Sequence, residues 1–477
     1  MPELFPFQEK DVQKALGRNT LIASECGIGK TVEAIEVVRR RRVAGARGPV
    51  LVLCNNSAKE QWADFIRAWD PGVEVVVTGK AGSWPTEGRP GVELRHYFHP
   101  RHDVWILAHH EALSLPRKAE VRARRYYQAP QVWRQFIWEA IIVDECHRYK
   151  GRKSQRTVWL MALDGLYRMG MTGTLIEKDP SDAQPILKWL YPGRPEFKNY
   201  WKFREEWCFS ENGWQGHKKW GGVKPGRERE FAALLEPFTI RRGKRDPDVA
   251  PDLPPKIEEV VHLTMEPDSP QYKLYSKVAR SQDLQVKLPP EFTVGGDWHL
   301  IIPNAMALLV RLQQLLADPR ILGLRAPSVK QDWIKDYVAD NPNEPIVIFT
   351  KFRPVAQTLA QDLGAAIAIG GRVERLDDWQ RGAVQVLVGT IAKMGESLNL
   401  QQARTALFMD HEWSSIKMQQ AYDRVDRIDI TESKHIVHLE VKGTVDVLVR
   451  KALSHKWSEQ ELIWNFLRDL QASASTP

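Results

Sequence analysis

Two series of short apolar runs, rich in β-branched residues, alternate with amphipathic segments, and this alternation restricts the folds open to the chain. The first series occupies residues 21–23, 50–53, 104–107 and 141–143, and the second occupies residues 346–349, 386–388, 406–409 and 436–439. Such runs are typical of strands buried in a parallel sheet, because helices cover both of its faces. Two series therefore predict an α/β protein with two lobes in tandem.

The length of 477 residues exceeds what one hydrophobic core usually supports, which also favours two domains. We place the first lobe at residues 1–179 and the second at residues 256–455, with a helical insertion at about 268–322. Residues 180–255 are rich in Trp, Pro, Gly and Lys without a strand rhythm, which predicts a mainly helical insertion followed by a stiff connector. The apolar spacing within residues 456–477 predicts an amphipathic C-terminal helix.

The composition, with 43% hydrophobic and 27% charged residues, is that of a soluble globular protein. A net charge of +8 and a pI near 9.1 suit a polyanionic partner. The four cysteines show no CxxC or zinc-ligand spacing and the histidines form no cluster, so we expect a reducing compartment and no structural zinc. The chain shows neither a signal-peptide pattern nor a membrane-length apolar run, which predicts a cytoplasmic protein without membrane contact.

The segment SECGIGKT follows the first apolar run directly and precedes a predicted helix. Gly27 and Gly29 allow backbone N–H groups to close around phosphate, and the helix N-terminus adds a positive field. In this pattern Lys30 reaches the outer phosphates and Thr31 ligates Mg²⁺. Ser24 stands where the common pattern begins with Gly. The strand–loop–helix context predicts a phosphate-binding loop for ATP with Mg²⁺.

Two adjacent carboxylates, Asp144 and Glu145, open the tetrapeptide DECH directly after the run at residues 141–143. Ligands of α/β folds bind at the carboxyl ends of the strands, so this is a favourable position for catalytic groups. ATP hydrolysis needs one carboxylate for the metal and a neighbour that orients or deprotonates the attacking water. We assign Asp144 to the metal and Glu145 to the water.

The order of these motifs resembles helicase superfamily two, and the details resemble its Swi/Snf branch of DNA translocases. Shared motifs occur as FQ at residues 7–8, TGT at 172–174, GESLNL at 395–400 and QAYDRVDRI at 420–428. The Swi/Snf branch is indicated by IRRGK at residues 240–244 followed by LPPK at 253–256. The resemblance implies two RecA-like lobes with helical insertions, and it covers nearly the whole chain.

The resemblance also implies roles for individual residues. Gln8 would read adenine, and Gly395 and Gln420 would take part in nucleotide binding. Residues that would couple hydrolysis to nucleic acid are His147, Thr172, Gly173 and Thr174.

Arg424 and Arg427 are expected to stabilise the charge that accumulates on the γ-phosphoryl group in the transition state. Their i, i+3 spacing predicts that both lie on one face of a helix of the second lobe. A guanidinium brought from the lobe opposite the phosphate loop would let ATP close the cleft between the lobes. The alternative is a solvated helix face.

Two further patterns receive structural interpretations. The four arginines at residues 39–42 are expected to form a solvated helix end, favoured by the helix dipole, rather than a DNA clamp. Five tryptophans lie between Trp189 and Trp220, beside the basic segment at residues 217–219. Most tryptophans anchor cores, so base stacking is the less favoured interpretation of this group.

These observations together predict an ATP-dependent DNA translocase that acts as a monomer on duplex or branched DNA. Repair, replication-fork processing or recombination would suit it, at the nucleoid of a bacterium or in a phage-infected cell. Two alternatives remain: a strand-separating DNA or RNA helicase, and a nucleotide-gated DNA-binding adaptor with negligible turnover. Residues 180–255 show no clear hairpin signal, residues 211–214 coming nearest. Without such a wedge, we expect movement on duplex DNA without strand separation.

Overall fold

The structure of the protein is a computed structural model. It describes residues 3–78, 103–113, 133–134, 136–177, 179–212, 218–250, 253–281, 285–288, 290–293, 299–428, 430 and 432–454. The chain forms two compact units, Met1–Asp252 and Leu253–Pro477. The helix predicted at residues 456–477 lies outside the described residues.

The first unit contains a seven-stranded sheet whose neighbouring strands are all parallel, in the order β3-β4-β2-β5-β6-β1-β9. Its strands are β1 (Thr20–Ile22), β2 (Val50–Cys54), β3 (Glu74–Val77), β4 (Val104–His109), β5 (Ile137–Val143), β6 (Asp164–Met171) and β9 (Thr239–Ile240). Its helices are α1 (Pro6–Leu16), α2 (Lys30–Val43), α3 (Lys59–Trp69), α4 (Gln155–Met161), α5 (Gln184–Leu190), α6 (Pro195–Lys198), α7 (Tyr200–Trp207) and α8 (Glu228–Leu235). The central strands are apolar and buried along almost their whole length, because a hydrophobic cluster packs on each face of the sheet.

The second unit contains another seven-stranded sheet, in the order β10-β18-β17-β13-β16-β14-β15, in which β15 alone runs antiparallel to its neighbour. Its strands are β10 (Ile257–Leu263), β13 (Ile346–Thr350), β14 (Ala366–Ile369), β15 (Arg372–Glu374), β16 (Val386–Thr390), β17 (Thr405–Phe408) and β18 (His435–Val441). Its helices are α9 (Pro270–Arg280), α10 (Ala305–Ala317), α11 (Val329–Asp340), α12 (Arg353–Leu363), α13 (Leu376–Gln380), α14 (Ile391–Ser397), α15 (Ser415–Val425) and α16 (Val445–Ser454). The predicted class, two parallel-sheet α/β lobes in tandem, is confirmed.

The described residues between 180 and 255 carry four α-helices, and they also contain strands that the sequence did not indicate. They contain the antiparallel hairpin β7 (Cys208–Asn212) and β8 (Lys218–Val223), and β9 adds an edge strand to the first sheet. The strand pattern is hard to read in the sequence because a register irregularity between Cys208 and Ser210 and two glycines in β8 interrupt the alternation of side chains. Because this hairpin is present, the expected lack of a hairpin no longer supports movement without strand separation.

The insertion at residues 268–322 is also less uniform than predicted. Between α9 and α10 the chain forms a second antiparallel pair, β11 (Gln285–Lys287) with β12 (His299–Ile301). These strands are three residues long, too short for a periodic signal in the sequence. No helix in the described part of the chain has the length and apolar character needed to cross a membrane.

Candidate functional site

The phosphate-binding loop connects β1 to α2, as the sequence predicts, and its glycines adopt conformations that other residues avoid. Gly27 has φ 85° and Gly29 has φ 91°, both in the left-handed region. A Cβ atom on Gly29 would also lie 2.3 Å from Gln8 Nε2. The loop ends where α2 begins at Lys30, so the free N–H groups of that helix point toward the loop.

Lys30 is held by its own loop. Its Nζ donates hydrogen bonds to the carbonyl oxygens of Ser24 and Glu25, each at 2.8 Å. Phosphate oxygens would be stronger partners, because both groups of that interaction carry charge. Binding of a nucleotide at this loop would therefore exchange two neutral acceptors for charged ones.

Gln8 lies in the first turn of α1 and is buried against the phosphate-binding loop. Its Nε2 donates to the carbonyl oxygen of Ile28 at 3.1 Å, and its Oε1 accepts from the backbone N–H of Phe5 at 3.0 Å. Both ends of the amide thus have protein partners. The position beside the loop agrees with a nucleotide contact, and adenine reading stays a prediction.

The paired carboxylates follow β5, where Glu145 is held in the left-handed region at φ 48°. Residues other than glycine rarely adopt this backbone conformation, and strained conformations of this kind cluster at functional sites. Asp144 Oδ1 accepts from the backbone N–H of Glu145 at 2.9 Å. Desolvation, and secondly the negative charge of Glu145, raise the pKa of Asp144. A divalent cation would relieve this accumulation of negative charge.

Trp62 is a site residue that sequence reasoning missed. It lies on α3, is almost fully buried, and its Nε1 donates to Asp144 Oδ2 at 3.1 Å. This hydrogen bond, donated from a helix that packs on the sheet, fixes the orientation of the Asp144 carboxylate. No motif in the sequence marks this tryptophan, since only the packing of α3 brings it to the end of β5.

The structure joins the DECH and TGT motifs by side-chain contacts. His147 Nδ1 lies 3.0 Å from Thr172 Oγ1 and 3.2 Å from Glu145 Oε2. Thr172 Oγ1 donates to the carbonyl oxygen of Thr174 and accepts from its backbone N–H, each at 3.0 Å. A continuous path of contacts therefore leads from the predicted water-orienting Glu145 to the TGT loop.

Gly173, in the middle of the TGT motif, touches the phosphate-binding loop. A Cβ atom placed on Gly173 would lie 2.6 Å from Cys26 Sγ, closer than nonbonded atoms approach. Cys26 belongs to that loop, so glycine is required here by close approach. The three motifs of the first unit thus form one contiguous group.

We expect Gly173→Ala to lower ATP turnover about tenfold, because the added methyl group must displace Cys26 and the loop around Lys30. Steady-state ATPase assays measure the effect. Cys26→Ala removes the obstructing sulfur and serves as the matched partner in a double-mutant cycle. The double variant should recover most of the lost turnover; an additive loss would show that the contact is not the cause.

Ser24, which departs from the common pattern, has a structural partner in the RRGK segment. Its Oγ accepts from the backbone N–H of Arg242 at 3.0 Å. Glu25 Oε2 accepts from the backbone N–H of Lys244 at 3.0 Å, and the Glu25 N–H donates to the carbonyl oxygen of Arg242 at 2.9 Å. Arg242 in turn forms an ion pair with Asp11 of α1 at 2.8 Å. The serine thus fixes the segment that ends the first unit to the phosphate-binding loop.

In the second unit, α14 and α15 bring three predicted site residues together. Arg424 Nε donates to the carbonyl oxygen of Gly395 at 3.0 Å. A Cβ atom on Gly395 would lie 3.5 Å from Gln420 Cβ, so the two helices pack closely at this glycine. Gly395, Gln420 and Arg424 form one local cluster.

Arg427 does not share a helix face with Arg424, so the prediction from their spacing is wrong. The helix α15 ends at Val425, and Asp426 leaves the helical region with ψ 99°. Arg427 lies beyond the helix end, so the i, i+3 spacing does not place it on one face with Arg424. Its position is set by the segment that follows the helix.

The four arginines at the end of α2 are at most partly exposed and are held in ion pairs, so the helix end is less solvated than the sequence interpretation expected. Each forms an ion pair: Arg39 with Glu36, Arg40 with Glu9 and Glu36, Arg41 with Glu139, and Arg42 with Asp70. Hydrogen bonds from Arg40 and Gln13 lower the pKa of Glu9 to about 2. The run fastens α2 to its neighbours within the first unit.

Comparisons with known proteins cover the same segments. A family model described as SNF2-related domain matches residues 11–320, and one described as helicase conserved C-terminal domain matches residues 329–447. The chain is 22% identical to "Uncharacterized ATP-dependent helicase YqhH" of Bacillus subtilis (strain 168), over 96% of this chain and 78% of that protein. It is 21% identical to "ATP-dependent DNA helicase DDM1" of Arabidopsis thaliana, over 97% of this chain and 61% of that protein.

Among solved structures, the "Sulfolobus solfataricus SWI2/SNF2 ATPase core in complex with dsDNA" is similar at 22% identity and a TM-score of 0.43. The match covers 100% of this chain and 95% of that chain.

Proposed function

Because the chain belongs to the SNF2-related family of ATP-dependent helicases, we propose that this ATP-hydrolysing enzyme is a DNA translocase that acts as a monomer on duplex or branched DNA. DNA repair, replication-fork processing or recombination would use such a motor. The observation that carries the proposal is the continuous set of contacts among the phosphate-binding loop, the DECH motif and the TGT motif. A motor needs such a connection, because hydrolysis must be sensed outside the nucleotide site.

The contacts divide the proposed work among residues. Lys30 exchanges its carbonyl partners for the phosphates of ATP. Glu145 orients the attacking water. A change in the position or charge of Glu145 on hydrolysis would reach Thr172 through the contacts that both residues make with His147. For Arg427 the role rests on the sequence resemblance alone, which implies that it would supply positive charge as the γ-phosphoryl group becomes more negative.

Mg²⁺ is the proposed cofactor, and the donor set fits it. Thr31 and Asp144 would hold the ion, since hydroxyl and carboxylate oxygens are its preferred protein ligands. Burial and the neighbouring charge of Glu145 raise the pKa of Asp144, and a bound cation would offset both effects. When bound, Mg²⁺ would neutralise charge on the phosphates.

A strand-separating helicase is the second candidate, and one observation favours it. The hairpin of β7 and β8 lies within the insertion of the first unit, and a strand-separating element could be carried there. Our sequence-based expectation of movement without strand separation assumed that no such hairpin exists. Unwinding of a tailed duplex therefore has to be measured alongside translocation.

The ATPase rate measured side by side with single-stranded DNA, duplex DNA, forked DNA and RNA tests the proposed function. A DNA motor should be stimulated by duplex or forked DNA. Stimulation by RNA alone would contradict the DNA assignment. A rate that stays negligible with every nucleic acid would instead favour the nucleotide-gated adaptor.

We expect DNA affinity to fall steeply with salt and to depend little on sequence. A motor steps past every base pair, so its contacts should go to phosphates, and the net charge of +8 suits them. Binding isotherms on two unrelated duplexes, at low and at physiological salt, measure both properties. The affinity should drop on the order of a hundredfold between the two salt concentrations. Salt-insensitive binding to only one duplex would indicate a site-specific DNA-binding protein.

A further inference from the structure

Cationic groups and aromatic rings alternate along a surface of the first unit, and none of them is among the ATP-site residues described above. The Arg152 guanidinium lies 5.1 Å from the Trp201 ring centroid and 4.9 Å from that of Tyr200. The Arg204 guanidinium lies 5.9 Å from the Tyr200 ring and 4.8 Å from the Trp220 ring. Lys218 Nζ completes the series at 5.6 Å from the Trp220 ring. We call these six residues the cation–aromatic ladder.

Three separate segments contribute to the ladder. Arg152 lies in the loop that leads from the DECH motif to α4. Tyr200, Trp201 and Arg204 come from α7, and Trp220 and Lys218 come from β8 of the hairpin. The ladder therefore connects the hairpin to the segment that follows the catalytic carboxylates.

The aromatic residues of the ladder are not a core cluster. Trp189 and Trp207, from the same tryptophan-rich region, are 1% and 7% exposed and pack in the first unit's core, as the sequence interpretation holds for most tryptophans. Trp201 is different, with 52% of its surface exposed. Leaving a large apolar ring in water is unfavourable, so an exposed tryptophan between basic groups suggests a partner that covers it.

The charges of the ladder residues indicate the charge of the partner. Arg204 is neutralised by Asp179, at 3.1 Å. Arg152 and Lys218 are both exposed, and neither has a carboxylate partner within salt-bridge distance among the residues that the structure describes. Two exposed positive charges beside exposed aromatic surface match a polyanion that also carries flat rings.

We propose that the cation–aromatic ladder binds single-stranded nucleic acid, with Trp201 stacked on an unpaired base and Arg152 and Lys218 on the neighbouring phosphates. This inference rests on the proposed function and gives the hairpin a role in it. Base faces are covered by neighbouring pairs inside a duplex, so a stacking ring selects unpaired bases. Basic side chains next to stacking rings are the combination that single-strand binding sites use.

The test compares Trp201→Ala, Trp201→Phe and the wild-type chain in binding to an oligothymidine strand and to a blunt duplex of equal length, by fluorescence anisotropy. Trp201→Ala should weaken single-strand binding about tenfold and change duplex binding less than about twofold. Trp201→Phe keeps an aromatic face and should retain most of the single-strand affinity. ATP turnover without nucleic acid should be unchanged in both variants, because Trp201 lies outside the ATP site.

Arg152→Ala should weaken single-strand binding and reduce its salt slope by about one. Arg67→Ala is the matched control, since Arg67 is an exposed arginine of α3 outside the ladder. The ladder proposal would be overturned if Trp201→Ala lost equal affinity for the single strand and the duplex, or if its single-strand affinity were unchanged. The contacts of the ladder would then only stabilise the packing of the hairpin. Wild-type protein that binds no DNA of either form would overturn the proposed function itself, so the two failures can be told apart.

Discussion

Replacing Lys30 with Ala is expected to lower ATP turnover by at least about a hundredfold and to weaken nucleotide binding. In the structure Lys30 is anchored to the carbonyls of Ser24 and Glu25, which places its ammonium group at the centre of the phosphate-binding loop. Loss of this charge removes both ground-state and transition-state contacts to phosphate. Turnover is measured in a coupled ATPase assay, and affinity by binding of a fluorescent ATP analogue.

Arg427→Ala provides the contrast for this prediction. It should keep nucleotide affinity while losing hydrolysis, because its charge matters chiefly when the γ-phosphoryl group becomes more negative. Lys188→Ala, which removes an exposed lysine of α5, is the control for charge alone. If the Lys30 and Arg427 variants lose nucleotide affinity equally, the proposed division of roles is wrong.

Glu145→Gln is expected to bind ATP and DNA normally but to lower hydrolysis by about 10²–10⁴-fold. The amide keeps the shape of the side chain at its strained backbone position, yet it cannot accept a proton from water. Its contact with His147 remains possible, so the bound state should persist. Single-turnover hydrolysis and DNA-binding isotherms measure the two effects.

Glu60→Gln, on the exposed surface of α3, controls for the removal of one carboxylate. It should leave turnover within about twofold of the wild-type value, as surface substitutions usually do. Near-normal hydrolysis in the Glu145 variant would move the activation of water to another group.

The sequence was most informative where a strand end and a motif coincide. Apolar runs long enough to be buried on both faces predicted the central strands of both sheets. The phosphate-binding loop could be recognised because its glycines are required by backbone conformation and its lysine by charge. These constraints are local, so the sequence displays them directly.

Features that depend on long-range packing could not be predicted. The hydrogen bond from Trp62 to Asp144 joins residues on different elements, and no spacing rule connects them. Arg41 and Arg42 at the end of α2 resembled a solvated helix end because their carboxylate partners, Glu139 and Asp70, lie far away in the sequence. The hairpin was missed because a register irregularity and two glycines interrupt the alternation of side chains along its strands.

The end of α15 shows the same limit at smaller scale. A periodic pattern predicted that Arg424 and Arg427 share a helix face, but the helix ends at Val425. Helix ends are the least certain part of any sequence-based assignment, since they depend on contacts beyond the last turn. The sequence identified Arg424 and Arg427 as candidate site residues, but it did not predict their relative positions correctly.

The central claim, that ATP hydrolysis drives movement along DNA, is tested most directly by displacement of a third strand from a DNA triplex. Wild-type protein with ATP should release the third strand, because a motor moving on the duplex must remove it. Glu145→Gln should bind the same triplex and release nothing, which separates movement from binding. Release by the wild type without ATP, or no release despite DNA-stimulated hydrolysis, would contradict the account.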